Sequence, residues 1–281
     1  RAVAAAAAAD VAVVMVGTND EWETEGFDRT TMDLPGRQDE LVRRIVAVNP
    51  RTAVIVNAGS PVTMDWADAA DDNSARAVLT SFFAGQEQAE SLVDVLLGDA
   101  DPGGRLPTTI PVRLADHPAY LHHRPDHDSA GNGTQVYGEG LFIGYRYYDA
   151  RNIAPRFAFG HGLSYGSAMW GAAVITSESA DSITVEVPVA GTGNRAATVV
   201  VQGYIAAIDR ACIRPPKELK TWDKFVVEPG ESRTAQLEFP RSAFRRWDTA
   251  TGDWIVDAGE YDLVIAASAT DVRQRLQVTL V

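Results

Sequence analysis

Along the first two-fifths of the chain, continuous apolar runs alternate with segments of helical period. Val11-Ala12-Val13-Val14-Met15-Val16-Gly17 is an unbroken apolar run closed by glycine, the pattern of a parallel strand buried on both faces. Beyond a polar loop, Leu41, Val42, Ile45, Val46 and Val48 recur at helical spacing behind Gln38-Asp39-Glu40, whose acidic residues suit a first helical turn. Pro50 ends that helix, and Ala53-Val54-Ile55-Val56 predicts the next strand. A third strand is predicted over Ala77 to Phe83, followed by a helix around Gln86 to Leu97. Repeated βαβ units imply right-handed crossovers and a mostly parallel sheet with flanking helices, an α/β sandwich.

An irregular, Gly/Pro-rich stretch follows from Asp101 to about Gly140, and from Ile183 the texture changes. Short alternating runs take over: Ile183–Val187, Thr198–Val201, Ala235–Phe239 and Tyr261–Ile265. Turn signals separate them at Gly191-Thr192-Gly193-Asn194, Glu228-Pro229-Gly230-Glu231 and Asp257-Ala258-Gly259-Glu260. Short strands, regular turns and no helical period predict an all-β sandwich.

Composition narrows the function more than the fold. The 281 residues carry a net charge of -13, which argues against nucleic acid as a partner, because phosphate binding needs a basic face. No apolar run reaches the length of a membrane span. Cys212 is the sole cysteine, so no intrachain disulfide and no multi-cysteine zinc site can form. The chain opens at Arg1 with the alanine run Ala4–Ala9, which lacks the apolar centre of a signal peptide and leads into the first strand. Arg1 therefore reads as a cut end within a longer protein.

The densest chemistry follows the first strand, where open α/β sheets place their sites. Asp20, Glu21, Glu23 and Glu25 crowd one loop, with Trp22 and Phe27 interleaved and Asp28-Arg29 behind. An aromatic ring beside a carboxyl can desolvate it and raise its pKa, as a general acid requires, and aromatic rings also stack on sugars. A solvated acidic loop in which Asp28 and Arg29 simply pair fits the same residues. A dinucleotide-binding oxidoreductase would also show βαβ units, but no Gly-x-Gly-x-x-Gly follows the first strand.

Longer strings resolve the choice. Glu23-Thr24-Glu25-Gly26-Phe27-Asp28-Arg29, with Met32-Asp33-Leu34-Pro35 and Gln38-Asp39-Glu40-Leu41, resembles the acid/base loop of family 3 β-glucosidases. Asn57-Ala58-Gly59-Ser60-Pro61-Val62 with Trp66, and the stretch from Gly85-Gln86-Glu87 to Leu97–Thr109, match that family in its order. So do Tyr137–Asp149 and Phe157–Tyr165, while Arg214–Lys220 and Glu228-Pro229-Gly230-Glu231 resemble its appended fibronectin type III-like domain. The resemblance implies an α/β domain over 1–165, incomplete at its N-terminus, and an all-β immunoglobulin/fibronectin III-like sandwich over 166–281. It implies that Glu25, directly before the glycine, is the general acid/base of a retaining β-glycosidase acting on terminal non-reducing β-D-glucosyl or related residues. Glu23 and Glu21 are the runners-up. Trp22, Glu23, Phe27, Asp28 and Arg29 would bind substrate or shape the loop.

In the resembling enzymes the attacking aspartate sits on a separate (β/α)8 barrel, for which this chain has no room. Its partners would then be that barrel portion of the same enzyme, possibly as another chain, and an oligosaccharide or an aryl or alkyl β-glycoside. Some members carry a lectin-like insert just upstream of the position matching Arg1, so a break after such an insert would also give this start. A non-catalytic carbohydrate-binding or scaffold fragment is the alternative, separated from the enzyme reading by the missing nucleophile. Asp65-Trp66 superficially matches the barrel's nucleophile string, but its setting belongs to the second domain and gives Asp65 a structural role. No metal or organic cofactor is expected: His117, His122, His123 and His127, with Asp116, Asp126 and Asp128, share a proline-interrupted loop without organised ligand spacing. Asn132-Gly133-Thr134 is a weak glycosylation match. The Tyr145, Tyr147 and Tyr148 cluster near Arg146, and His161, are expected to serve packing.

Overall fold

The structure is a computed structural model that describes residues 1–122, 136–208 and 212–281. The chain divides into two compact units. One comprises Arg1–Leu97, Thr109–Glu139 and Ala154–Phe157; the other comprises Gly98–Thr108, Gly140–Ile153 and Ala158–Val281.

The first unit runs α1 (Ala2–Ala8), β1 (Ala12–Gly17), α2 (Gln38–Val46), β2 (Thr52–Asn57), β3 (Ala77–Thr80) and α3 (Gln88–Leu97). The strands form a parallel sheet in the order β1-β2-β3, with Ala12 opposite Thr52 and Gly17 opposite Asn57. The alanine run that reads as a lead-in to the strand is a helix, as the best helix-forming side chain favours. Asn49 donates from Nδ2 to the carbonyls of Ala6 and Ala9, both at 3.0 Å, and so holds the helix's C-terminal end. Helix α2 follows the expected period, burying Val42, Ile45 and Val46. The side chain of Gln38, its first residue, grips the last residue of β1. Gln38 Oε1 accepts from the Gly17 amide at 2.8 Å, and Nε2 donates to the Gly17 carbonyl at 2.9 Å.

Two expectations need correction. Strand β1 is buried on one face only: Val14 and Val16 are inside, but Val11, Val13 and Met15 are 52–61% exposed. It is an edge strand, and no described residue covers that second face. The third strand stops at Thr80 rather than reaching Phe83, because Phe82 takes a positive φ of 52° and turns the chain away.

Among the described residues the second unit holds α4 (Tyr145–Arg151) and the strands β4 (Ala168–Trp170), β5 (Val174–Glu178), β6 (Ser182–Gly191), β7 (Ala197–Ala207), β8 (Glu218–Val227), β9 (Ser232–Pro240), β10 (Arg246–Asp248), β11 (Asp253–Ile255), β12 (Gly259–Ala266) and β13 (Val272–Leu280). One antiparallel sheet has the order β13-β12-β7-β8; in the other, β6 pairs with β4, β5 and β9. The alternating residues foreseen in the sequence face one another across the sandwich. Ile183, Val185 and Val187 of β6 and Leu237 and Phe239 of β9 meet Val199 and Val201 of β7 and Leu263 and Ile265 of β12. Each such side chain contributes about 1.5–3 kcal/mol on burial. Strand β7 is buried along its whole length: Tyr145 of α4 packs on Tyr204, and Ser164 and Gly160 lie against Thr198 and Gln202 on the same outer face. There the Tyr145 ring stacks on Phe159 with centroids 4.9 Å apart, and its hydroxyl accepts from the Leu219 amide at 2.8 Å, the packing role expected of it.

One corner of this sandwich is electrostatic. Arg246 forks onto Asp257 at 2.7 and 2.9 Å, Arg214 reaches the same carboxylate at 3.3 Å, and the Tyr261 hydroxyl donates to the Asp257 carbonyl at 2.8 Å. The hydrogen bonds from Arg246 hold the Asp257 carboxyl below its ordinary range. A depressed folded-state pKa contributes stability above the unfolded-state value, about 3.9, and that contribution is lost as pH falls through the folded value. Urea titrations at pH 6 and pH 3 should therefore show a smaller acid loss of stability for Asp257→Asn than for the parent chain. An equal acid loss in both would contradict this linkage.

Candidate functional site

The carboxyl ends of the three parallel strands converge on one edge of the first unit. Gln88, the first residue of α3, draws two of them together. Its Nε2 donates to Asn57 Oδ1 at 2.7 Å, to Ser81 Oγ at 3.0 Å and to the Phe82 carbonyl at 3.3 Å. The Thr18 amide donates to the Asn57 carbonyl at 3.1 Å, so the acidic loop leaves β1 already fastened to β2.

Within that loop the acidic residues have separate fates. The Asn19 carbonyl accepts from the amides of Trp22 and Glu23, both at 2.8 Å, in a tight turn that leaves Asp20 and Glu21 in solvent. Glu23 is turned inward: its Oε1 accepts from Thr18 Oγ1 at 2.5 Å and from the Gly59 amide at 3.1 Å. Arg29 Nη1 lies 3.6 Å from the same oxygen, and Arg29 Nη2 donates to the Pro61 carbonyl at 3.0 Å. Arg29 thus forms an ion pair with Glu23. Glu25 is exposed, and its carboxylate has no hydrogen-bond or ion-pair partner among the described residues. Phe27, 60% exposed, and Asp28 stand beside it at the surface. Trp22 is half-buried, with its indole Nε1 enclosed and unpaired among the described residues, so its NH is not presented to solvent.

Three contributors escaped the sequence reading as site residues: Thr18, Gly59 and Phe83. A Cβ at Gly59 would lie 2.6 Å from Glu23 Oε2 and 2.8 Å from the Phe83 ring, so only a glycine lets both close on the backbone there. The one signal available was the glycine itself, two residues beyond the end of β2 in the loop Gly59-Ser60-Pro61.

The segment after the loop is braced separately. The Met32 carbonyl accepts from the Thr63 amide at 2.8 Å, and Asp39 accepts from the Trp66 indole at 2.7 Å and from the Leu34 amide at 3.2 Å. Burial pushes the Asp39 carboxyl up, against the pull of those two donors. Asp65 pairs with Arg43 at 2.5 Å on the surface, which suits a structural role. Among the described residues, no group of three or more His, Cys, Asp or Glu side chains is placed to hold a metal ion. His123, His127, Asp126, Asp128 and the Asn132-Gly133-Thr134 sequon lie outside the described residues.

Residues 1–145 match the glycosyl hydrolase family 3 C-terminal domain, and residues 199–269 match a fibronectin type III-like domain. A β-glucosidase of Rhizobium radiobacter is 40% identical over 99% of this chain and 34% of its own length. Thermostable β-glucosidase B of Acetivibrio thermocellus is 38% identical over 95% of this chain and 35% of its own. Among solved structures, the β-glucosidase of Kluyveromyces marxianus in complex with glucose superposes with a TM-score of 0.90 at 36% identity, covering 100% of this chain and 33% of that one. The chain thus spans about a third of the length of the curated relatives it matches.

Proposed function

The chain belongs to glycoside hydrolase family 3, and we propose that it is part of a retaining β-glycosidase that releases terminal non-reducing β-D-glucosyl or related residues. In this reading Glu25 is the general acid/base, and the nucleophilic aspartate is carried by a barrel domain that these residues do not include. Residues 1–165 form the α/β domain and 166–281 the fibronectin type III-like domain.

The observation that carries the reading is the contrast within one loop. Glu23 and Arg29 are tied to the neighbouring backbone, while Glu25 stands between them in solvent and without a partner among the described residues. A carboxyl that must give up and recover a proton needs that freedom, and a nearby ring to exclude water once substrate arrives. Phe27, two residues on and 60% exposed, is placed to supply it. In the first step Glu25 protonates the glycosidic oxygen as the barrel aspartate attacks the anomeric carbon and the bond to the leaving group breaks. In the second step the Glu25 carboxylate takes a proton from water, which attacks the same carbon, releases the sugar and frees the aspartate. The two carboxyls of such a pair stand about 5–5.5 Å apart.

The substrate class rests on the relatives, which are named β-glucosidases, and one of which was crystallised with glucose. The test compares residues 1–281 with the complete polypeptide that also carries the barrel, using p-nitrophenyl β-D-glucoside. Turnover is expected from the complete polypeptide and none above buffer from residues 1–281. Hydrolysis by residues 1–281 alone would place both carboxyls in this chain and overturn the division.

A further inference from the structure

We propose that Glu23 is a positioning residue which, clamped by Thr18, Gly59 and Arg29, sets the place of Glu25; the proposal rests on the reading of Glu25 as acid/base. The two glutamates are two positions apart, and the structure gives them opposite surroundings. Glu23 accepts from a hydroxyl and a backbone amide and faces a guanidinium, with its side chain 17% exposed. Glu25 is in solvent. Only Thr24 separates the two, so anchoring Glu23 limits where Glu25 can lie.

The clamp closes a small ring. From Glu23 the chain runs through Thr24, Glu25, Gly26, Phe27 and Asp28 to Arg29, and Arg29 returns to Glu23 across 3.6 Å. Both ends of this arc are also fastened to the chain beyond β2, Glu23 at the Gly59 amide and Arg29 at the Pro61 carbonyl. Thr18 fastens Glu23 to the end of β1. The arc carrying Glu25 is therefore held to two strand ends of a rigid parallel sheet rather than left to wander. Inside the arc the Gly26 amide donates to Thr24 Oγ1 at 3.2 Å, a short-range bond that leaves the fastened ends to tie the arc to the strands. Gly59 belongs to the device because any side chain there would collide with the Glu23 carboxylate and the Phe83 ring.

Chemistry separates this role from that of a spare acid. Protonation of the departing oxygen matters for a poor leaving group and hardly at all for an activated one. A clamp that aims the acid should therefore matter for the same substrates. General loosening of the fold would lower the active fraction equally for every substrate.

The experiment measures kcat/KM of the complete polypeptide with phenyl and 2,4-dinitrophenyl β-D-glucosides, in the parent and in Glu23→Ala, Glu23→Gln, Thr18→Val and Glu25→Ala. Glu23→Ala is expected to lose on the order of 10²-fold with the phenyl substrate, as displacement of a catalytic group by about an ångström does, and little with the dinitrophenyl one. Glu23→Gln should stay within about tenfold of the parent, because its amide oxygen still accepts from Thr18 and Gly59. Azide should not restore Glu23→Ala, since Glu25 still occupies its place. Should Glu23→Ala fail to fold, Thr18→Val carries the same test, with a smaller loss confined to the phenyl substrate. Equal losses on both substrates would reduce the clamp to a fold element and overturn the proposal. Azide rescue of Glu23→Ala with formation of β-glucosyl azide would make Glu23 the acid/base itself. If Glu25→Ala shows no leaving-group dependence, the underlying acid/base reading fails, and that outcome is distinct from failure of the clamp alone.

Discussion

Replacing Glu25 by alanine in the complete polypeptide is expected to lower kcat/KM for phenyl β-D-glucoside by about 10²- to 10⁴-fold, the usual worth of a positioned general acid. The loss should shrink with a 2,4-dinitrophenyl leaving group, whose departing oxygen needs no proton. Water would then attack the glycosyl-enzyme slowly, because nothing removes its proton. Azide needs no such help, so adding it should speed turnover and yield β-glucosyl azide of retained configuration. The substitution should barely change the melting temperature, since Glu25 touches no hydrogen-bond or ion-pair partner among the described residues and surface changes of that kind stay within about 0.5 kcal/mol. A variant that keeps its phenyl glucosidase activity would remove Glu25 from the mechanism.

The largest stability effect is expected at Phe239. Its ring is fully buried between the sheets of the second unit, over Gly203 of β7. Phe239→Ala should cost about 3–5 kcal/mol in urea unfolding, the transfer of the ring plus the cavity it leaves. Against a typical domain stability of about 5–15 kcal/mol, that is a large share. Gly203→Ala presses from the other side: an added Cβ would lie 2.6 Å from Phe239 Cζ and 2.7 Å from Thr221 Cγ2. Overpacking of this kind costs about 1–3 kcal/mol. Because both changes act on one contact, the double variant should be less destabilised than the sum of the two. Strict additivity would mean that the ring and the glycine do not bear on each other.

The hydrophobic pattern was a good guide wherever a residue's burial depends on near neighbours. The period of Val42, Ile45 and Val46 predicted α2, and the alternation of Ile183, Val185 and Val187 predicted the inner face of β6, because both repeats follow from backbone geometry alone. It misread β1, whose apolar run is consistent with two buried faces but which is exposed at Val11, Val13 and Met15. A run of valines records what a strand can bury, and its neighbours decide what it does bury. The alanine run was missed as α1 for a related reason: alanine carries no amphipathic signal, only propensity.

The amino-acid sequence by itself determined the two fold types, the order of their elements and the loop in which the carboxylates gather, since each depends on local period, turn chemistry or a contiguous string. Which carboxylate is held and which is left free was decided only by tertiary structure. Glu23 and Glu25 are the same side chain two positions apart. The difference between them comes from Thr18, from Arg29 and from Gly59, thirty-six positions beyond Glu23, brought to the loop by the pairing of β1 with β2. Hydrogen bonds at that separation depend on how strands stack, and stacking leaves no mark on the few residues that form the loop.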